Sequence, residues 1–508
     1  MKNKIRIFIA FLLVMNTVPL LAQSDYEEWL KKDQKQFDEY KTEQDRLFMK
    51  FLEEDWKQFQ VFQGLKVDDS PKPTEIPQAE PQPLQQTEIE RNDTIKELDV
   101  PETHKSFKSP GKDLKAKPTT KPWEQKELEE TSQPQPKKEV QKTDVLSISV
   151  DFYEAPVSIP DESSLKISIK GKPNNDTIAE YWKKISNAQF EGTLQKAESY
   201  KKSLALNDWG YCSLLYSIGE KINSGDDTEA LLFTWFMLNK SGYDSKIGYS
   251  DNNIYLLLPS KDDIFGAPYF TIDNHRFYVM SLDGKELQLG SMYTYEGDYP
   301  DADKIVSLSL NTLPVLWGNV PKQVTFSYNG TNYTIKYTYN KNIVNFLNTY
   351  PHTSYPIYFN TPLMDQSYAS LVEQLKPLLS GKSKSEALNI LLRFVQTAFE
   401  YKTDQQQFGK EKCLFAEETL FYPYCDCEDR SVIFAYLVKK LLGLEVIGLD
   451  YPGHIATAVK IDNVSGDYVM VNGEKYLICD PTYINANIGM SMPRYKNVKP
   501  EIVQISQK

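Results

Sequence analysis

The run Tyr424-Cys425-Asp426-Cys427-Glu428-Asp429-Arg430 leads into a strongly apolar segment, Val432 to Leu442, that stops at Gly443. That pattern reads as a buried helix with an acidic first turn and a glycine stop. A cysteine at such a helix start faces unpaired backbone N–H groups and the positive end of the helix dipole, and both favour thiolate. A nucleophile also needs a base and a group to orient the base. Of four histidines, the one downstream of the motif is His454, and beyond it Asp480 stands in Cys479-Asp480-Pro481-Thr482. Cys427 on a helix, His454 opening a strand and Asp480 closing a later one make a candidate triad. Cys425 is the rival nucleophile, but only Cys427 stands immediately before the acidic turn and the apolar helix. His352, in a loop-like stretch, is the fallback base, and a structural role is the simpler reading of it.

The triad constrains the sheet. His454 begins the strand 455–461 and Asp480 ends the strand 475–479, so they meet only if those strands run antiparallel. Turns near Ser465-Gly466 and at Asn472-Gly473 lie between them. Tyr468–Val471 must therefore pass outside the first strand before Asn472-Gly473 reverses the chain. A simple up-down-up meander would separate the pair.

Phe399-Glu400-Tyr401, Glu417-Glu418-Thr419-Leu420, Asp426-Cys427-Glu428-Asp429-Arg430, His454 and Asp480-Pro481-Thr482 together resemble the transglutaminase-like superfamily, which shares the papain-type thiol fold. The resemblance covers residues 367–490. It implies Cys427 as nucleophile, His454 as base and Asp480 as the group that orients the imidazole and stabilises its charged form. Backbone N–H groups at the helix start would form part of an oxyanion hole, with a side-chain donor sought in the Tyr401–Gln407 loop. The implied reaction is acyl transfer from an amide of a polypeptide substrate. Peptidase or amidase action is favoured over transamidation by analogy with bacterial members. The Asp-Cys-Glu-Asp run is also similar to that of periplasmic transglutaminase-like cysteine proteinases, where acids flanking the nucleophile hold Ca²⁺. The corresponding metal candidates here are Asp426, Glu428 and Asp429. Three carboxylates beside a thiolate oppose the helix dipole; a cation would neutralise them, and ordinary first-turn capping is the alternative.

The 508 residues suffice for two or three domains, and the pattern of elements is that of an α+β multidomain chain. A formal net charge of -12 argues against nucleic acid as a partner. Residues 1–22, with Lys2, Lys4 and Arg6 before an apolar run, have the form of a cleavable secretory leader, and no other stretch could span a bilayer. The expectation is an exported bacterial protein, periplasmic or extracellular. Five cysteines leave at least one thiol unpaired. Cys212 and Cys479 read as core residues, whereas Cys413, Cys425 and Cys427 are close enough to compete for pairing.

In residues 23–64, the pairs Tyr26/Trp29, Phe37/Tyr40, Phe48/Phe51 and Phe59/Phe62 recur every 11 residues, which stacks them into one stripe of a coiled-coil-like helix. The stripe at 26–62 reads either as a docking site for self-association, a protein partner or, least favoured by its evenly acidic and basic faces, a membrane surface, or as a helix lying on its own globular body. Residues 65–145, rich in Pro, Gln, Lys and Glu, read as a disordered linker. Residues 146–300 read as an α+β domain that includes strands at 146–152 and 165–169. Its acidic helix start Asp226-Asp227-Thr228-Glu229, apolar helix, glycine stop and strands echo the C-terminal region. Asp227 falls near where a nucleophile would be, and the strand preceded by His275 carries no partner acid. A degenerate copy of one fold and the mere commonness of helix-then-sheet order both remain open. Residues 301–366 read as a small β unit around Asn329-Gly330, and 367–508 as the catalytic domain. The alternative to an enzyme is a scaffold or binding protein with a vestigial thiol site.

Overall fold

The computed structural model describes residues 32, 34–35, 38–54, 56–59, 78–79, 96–97, 147–250, 252–284, 287 and 292–507. The leader, the ring pairs at 26/29 and Phe62, and most of the linker lie outside them. The chain is α+β and multidomain. After helix α1 (residues 38–54) and the short strands β1 (Lys57–Phe59) and β2 (Lys96–Glu97), two α+β units follow.

The middle unit opens with a hairpin of β3 (Ser147–Phe152) and β4 (Ala155–Pro160). Four helices come next: α2 (Asn175–Ser186), α3 (Glu191–Ser203), α4 (Asp208–Ile222) and α5 (Asp227–Lys240). Strands β5 (Lys246–Ser250), β6 (Asn253–Pro259), β7 (Tyr269–Ile272), β8 (His275–Met280) and β9 (Met292–Thr294) make a sheet in the order β1-β9-β5-β6-β8-β7. Helix α5 is buried without a break from Glu229 to Asn239, as its nearly continuous apolar sequence requires.

The C-terminal unit opens with the hairpin β10 (Asn319–Tyr328) and β11 (Thr331–Asn340), turning at Asn329-Gly330. Helices α6 (Lys341–Asn348), α7 (Tyr355–Asn360), α8 (Asp365–Leu379) and α9 (Lys384–Ala398) follow. A winding segment then carries β12 (Glu400–Tyr401), α10 (Asp404–Gln407), α11 (Ala416–Phe421) and β13 (Tyr424–Cys425). Helix α12 (Cys427–Leu442) is buried from Cys427 to Val438 and ends at Gly443, whose φ of 62° is the left-handed stop that glycine favours. Strands β14 (Val446–Tyr451), β15 (His454–Lys460), β16 (Tyr468–Val471), β17 (Glu474–Cys479) and β18 (Glu501–Val503) form a sheet in the order β18-β14-β15-β17-β16-β2. Strand β17 thus lies antiparallel beside β15, with β16 on its far side.

Four readings of the sequence need revision. The aromatic helix ends at 54, and Lys57–Phe59 pairs with Met292–Thr294 instead of continuing it. The open edge of β9 offers ladder partners that a repeat of ring spacings does not register. Leu165 and Ile167 are buried, but the backbone at 166–170 is in no ladder, because β3 takes β4 as its partner. The β10–β11 hairpin is not a separate unit: Phe326 packs edge-on against Phe394 of α9 at 5.5 Å, and Tyr337 donates to the Leu420 carbonyl at 3.1 Å. Within the linker, the described residues 78–79 and 96–97 lie against the C-terminal unit. Ala79 N–H donates to Ile484 O at 2.7 Å, and Lys96–Glu97 run parallel to Val469–Met470.

Helix α1 lies on the middle unit. Phe48 and Leu52 are buried, and Phe48 packs on Trp182 at 4.7 Å and Tyr299 at 5.2 Å. Asp45 forms a buried ion pair with Lys240 of α5. That part of the stripe is therefore occupied by the chain's own core, while Tyr40 and Leu47 remain exposed. No helix of the described residues is long and apolar enough to cross a membrane.

Candidate active site

Asp426 is the N-cap of α12 and Cys427 its first residue. Two interactions place this helix start. The parallel pairing of Tyr401 with Cys425 anchors the chain just before it. The Ser431 hydroxyl donates to Ile455 O at 3.2 Å, tying the first turns of α12 to the start of β15. His454 opens β15 opposite Tyr451, and β17 runs back beside it with Thr457 opposite Cys479. Asp480 follows directly, and its Oδ2 lies 2.9 Å from Nε2 of His454.

The carboxylate is held from both sides. Its Oδ1 accepts the N–H groups of Thr482 at 2.9 Å and Tyr483 at 3.2 Å, so the Asp-Pro-Thr turn fixes its orientation. Gln396 of α9 donates its amide to the carbonyls of Asp480, Tyr483 and Ala486 and pins that turn to the helix layer. The imidazole is stacked on Tyr495 at 4.9 Å with planes 12° apart. Its Nδ1 is buried without a hydrogen-bond partner. With Nε2 bonded to Asp480, Nδ1 is the ring nitrogen left to accept a proton. Cys427, His454 and Asp480 are exposed by only 0%, 1% and 3%.

The thiol of Cys427 donates to Oε2 of Glu428 at 3.0 Å. Asp429 accepts N–H bonds from Leu414 at 2.7 Å and Asp426 at 3.1 Å, while both carboxylate oxygens of Asp426 are buried with no partner. Asp404, contributed by α10, accepts the Lys412 N–H at 2.7 Å. Ligand atoms of Asp404, Asp426 and Asp429 lie within 4.8 Å of one another, as do those of Asp404, Glu411 and Glu428. Burial pushes the Asp404, Asp426 and Asp429 carboxyls well above the usual range, and repulsion within the cluster pushes them further, from Glu428 foremost on Asp426 and Asp429 and from Asp429 and Glu428 on Asp404. The neighbouring cations are engaged elsewhere. Lys412 pairs with Glu418, and Arg430 donates to Gln396 O, Phe399 O and the Cys425 sulfur. An all-oxygen donor set containing an orphaned buried carboxylate suits a hard cation such as Ca²⁺.

The structure thus brings together His454 and Asp480, and separately Cys427 with Asp426, Glu428 and Asp429. It adds Asp404, Glu411, Gln396 and Tyr495, which the sequence analysis did not single out. No local signal marks the first two, since Asp404 on α10 and Glu411 in the loop after it lie 13 or more residues upstream of the motif. Cys425 faces Arg430, and burial pushes its thiol up to about 11. None of the five cysteines is in a disulfide. His352 is structural: its carbonyl accepts Phe265 N–H at 2.8 Å and its ring packs between Phe265 and Tyr358, joining the two units. A cavity of about 640 Å³ lies on the middle unit, lined by Lys201, Lys202, Tyr211, Tyr243 and Lys304, away from the triad. No protein-family model, curated protein or solved structure matches the chain.

Proposed function

We propose that the C-terminal unit is a transglutaminase-like cysteine enzyme that cleaves amide bonds of a polypeptide, in an exported bacterial protein. The observation that carries this reading is the His454–Asp480 pair, with Nδ1 left free, on the strand tied to the helix that Cys427 begins. In the proposed reaction, Nδ1 of His454 takes the Cys427 thiol proton as sulfur attacks the carbonyl carbon. Asp480 stabilises the resulting imidazolium. The imidazolium gives its proton to the leaving amine, and the acyl group remains as a thioester. Water, deprotonated by the same nitrogen, releases the acid and restores the thiol. Backbone N–H groups at the start of α12 would serve the oxyanion. The Gln407 amide nitrogen, buried without a partner, is a candidate side-chain donor from the Tyr401–Gln407 loop.

Asp404, Asp426, Glu428 and Asp429, with Glu411 at the edge, would hold a Ca²⁺ ion. Its charge would offset the buried carboxylates and draw Glu428 away from the thiol. The triad side chains are nearly inaccessible, and this burial favours the second reading, a binding protein with a silent thiol site. An unfolded protein substrate separates the two readings. Release of new amino termini by the wild type, with none from Cys427→Ala, supports the enzyme. Equal release by both removes it, as does the absence, with or without calcium, of both new amino termini and incorporation of an added primary amine. Incorporation of an added primary amine in place of new amino termini would make the enzyme a transamidase.

A further inference from the structure

The sheet that carries the candidate triad has a counterpart in the middle unit, and the match extends to single residues. In the C-terminal unit a helix leads into a hairpin, β14–β15, closed by two residues with Tyr451 opposite His454. In the middle unit α5 leads into β5–β6, also closed by two residues, with Ser250 opposite Asn253. Three residues past His454, Thr457 lies opposite Cys479, the residue before Asp480. Three residues past Asn253, Leu256 lies opposite Met280, the residue before Ser281.

The outer hairpins agree as well. Val471 and Glu474 flank Asn472-Gly473, while Ile272 and His275 flank Asp273-Asn274, and all four turn residues have positive φ. Strand orders β9-β5-β6-β8-β7 and β18-β14-β15-β17-β16 are the same walk through the sheet. A slip of one residue in any ladder would turn each side chain to the opposite face. Agreement of three ladders is therefore more than a shared layer architecture.

The elements before the sheets also correspond. Each unit starts with a hairpin whose first strand packs on the second of two helices and whose second strand packs on the first: β3 on α4 and β4 on α3, β10 on α9 and β11 on α8. Helices α4 and α9 both have 15 residues. The helices that follow start alike, with Asp226 and Asp426 as N-caps and Asp227 and Cys427 as first residues.

We propose that the middle unit is a second copy of the C-terminal fold that has lost its chemistry, with Asp227, Asn253 and Ser281 in the positions of Cys427, His454 and Asp480. This rests on the triad assigned above. None of the three replacements can do the corresponding work. The Asp227 carboxylate has no proton for a base to take and accepts from the Tyr216 hydroxyl at 2.5 Å. An Asn253 amide is no base at neutral pH. Ser281 donates to Asp283 at 2.8 Å and carries no charge to steady an imidazolium. The enclosing wall is missing too. Residues 399–426, which bring Tyr401, Asp404, Glu411 and Glu418 to the C-terminal site, correspond to the short link Asn223–Asp226 between α4 and α5. Asp227 and Asn253 accordingly lie at the surface, whereas Cys427 and His454 are buried. His275 opens β8 and corresponds to Glu474, not to His454.

The test grafts the triad onto the copy. In a Cys427→Ala background, three variants are compared: Asp227→Cys alone, Asp227→Cys with Asn253→His, and both with Ser281→Asp. Alkylation by iodoacetamide at position 227 is followed against pH by peptide mass spectrometry. The proposal expects the half-rate pH to fall by at least about one unit when Asn253→His is present, a tenfold gain in thiolate. Ser281→Asp should strengthen the effect. Identical profiles in all three variants overturn it. Loss of the cooperative melting transition in the triple variant does so too, because equivalent positions should accept each other's residues. Cys427 labelled in parallel in the wild type and in His454→Ala separates the two claims. No His454 dependence there removes the triad itself, whereas dependence there without any at position 227 removes only the copy.

Discussion

The Cys427 thiol donates to Oε2 of Glu428 at 3.0 Å, while Nδ1 of His454 is buried with no hydrogen-bond partner. In this state the thiol proton is held by a carboxylate rather than by the proposed base. A cation among the acids would change that by competing for Glu428. Alkylation of Cys427 in the wild type should therefore be at least about tenfold faster with calcium than with a strong chelator, one unit of thiol acidity. In Glu428→Gln the ratio should collapse toward one. A ratio near one in the wild type would remove the cation from the account.

Cys425 and Cys427 separate cleanly in what they touch. Arg430 holds the Cys425 sulfur, and burial disfavours its thiolate. Cys427→Ala should abolish turnover, and Cys425→Ser should retain most of it, with a melting shift equivalent to about 1 kcal/mol or less. Turnover surviving Cys427→Ala would move the nucleophile to Cys425.

Asp404 extends the acidic cluster beyond the motif. Without metal, burying it beside Asp426 and Asp429 is unfavourable, as the raised carboxyls of all three reflect. Asp404→Asn should stabilise the metal-free protein by about 1 kcal/mol or more, one unit of raised pKa being worth that much. It should also erase the rise in melting temperature that calcium gives the wild type. That rise corresponds to about 2.7 kcal/mol at a calcium concentration one hundred times the dissociation constant. An unchanged calcium response in Asp404→Asn would exclude Asp404 as a ligand.

Helix α1 contributes to the middle core through Phe48, which is 4% exposed, whereas Tyr40 on the same helix is 52% exposed. Phe48→Ala should cost about 3–5 kcal/mol, and Tyr40→Ala should stay within about 0.5 kcal/mol. Calorimetry of the two variants checks this. Equal effects would mean that the helix is not docked as described.

What could be read from the sequence follows the range of the interactions involved. The span Cys427–Gly443 is a local pattern of cap, apolar run and glycine stop, and it is helical as expected. The placement of β17 beside β15 followed from asking what sheet would join His454 to Asp480, and the sheet has that order. Asp404, Glu411, Gln396 and Tyr495 escaped because they reach the site from other loops and helices, through contacts no spacing encodes. Lys57–Phe59 was misread because ring spacing reports a helical face but says nothing of an open sheet edge nearby. The register of the proposed copy was hidden for a different reason. Its matching positions carry chemically different side chains, Asn253 against His454 and Ser281 against Asp480, so only the ladders reveal them.

The account turns on whether His454 takes the proton of Cys427. The direct measurement is the pH dependence of Cys427 alkylation in calcium, for the wild type and His454→Ala, with labelled peptides identified by mass. The account predicts selective labelling of Cys427 near neutral pH in the wild type. In His454→Ala that selectivity should be lost, with the half-rate pH moving up to or beyond the ordinary thiol range of about 8.5. Superimposable profiles for the two proteins would contradict it.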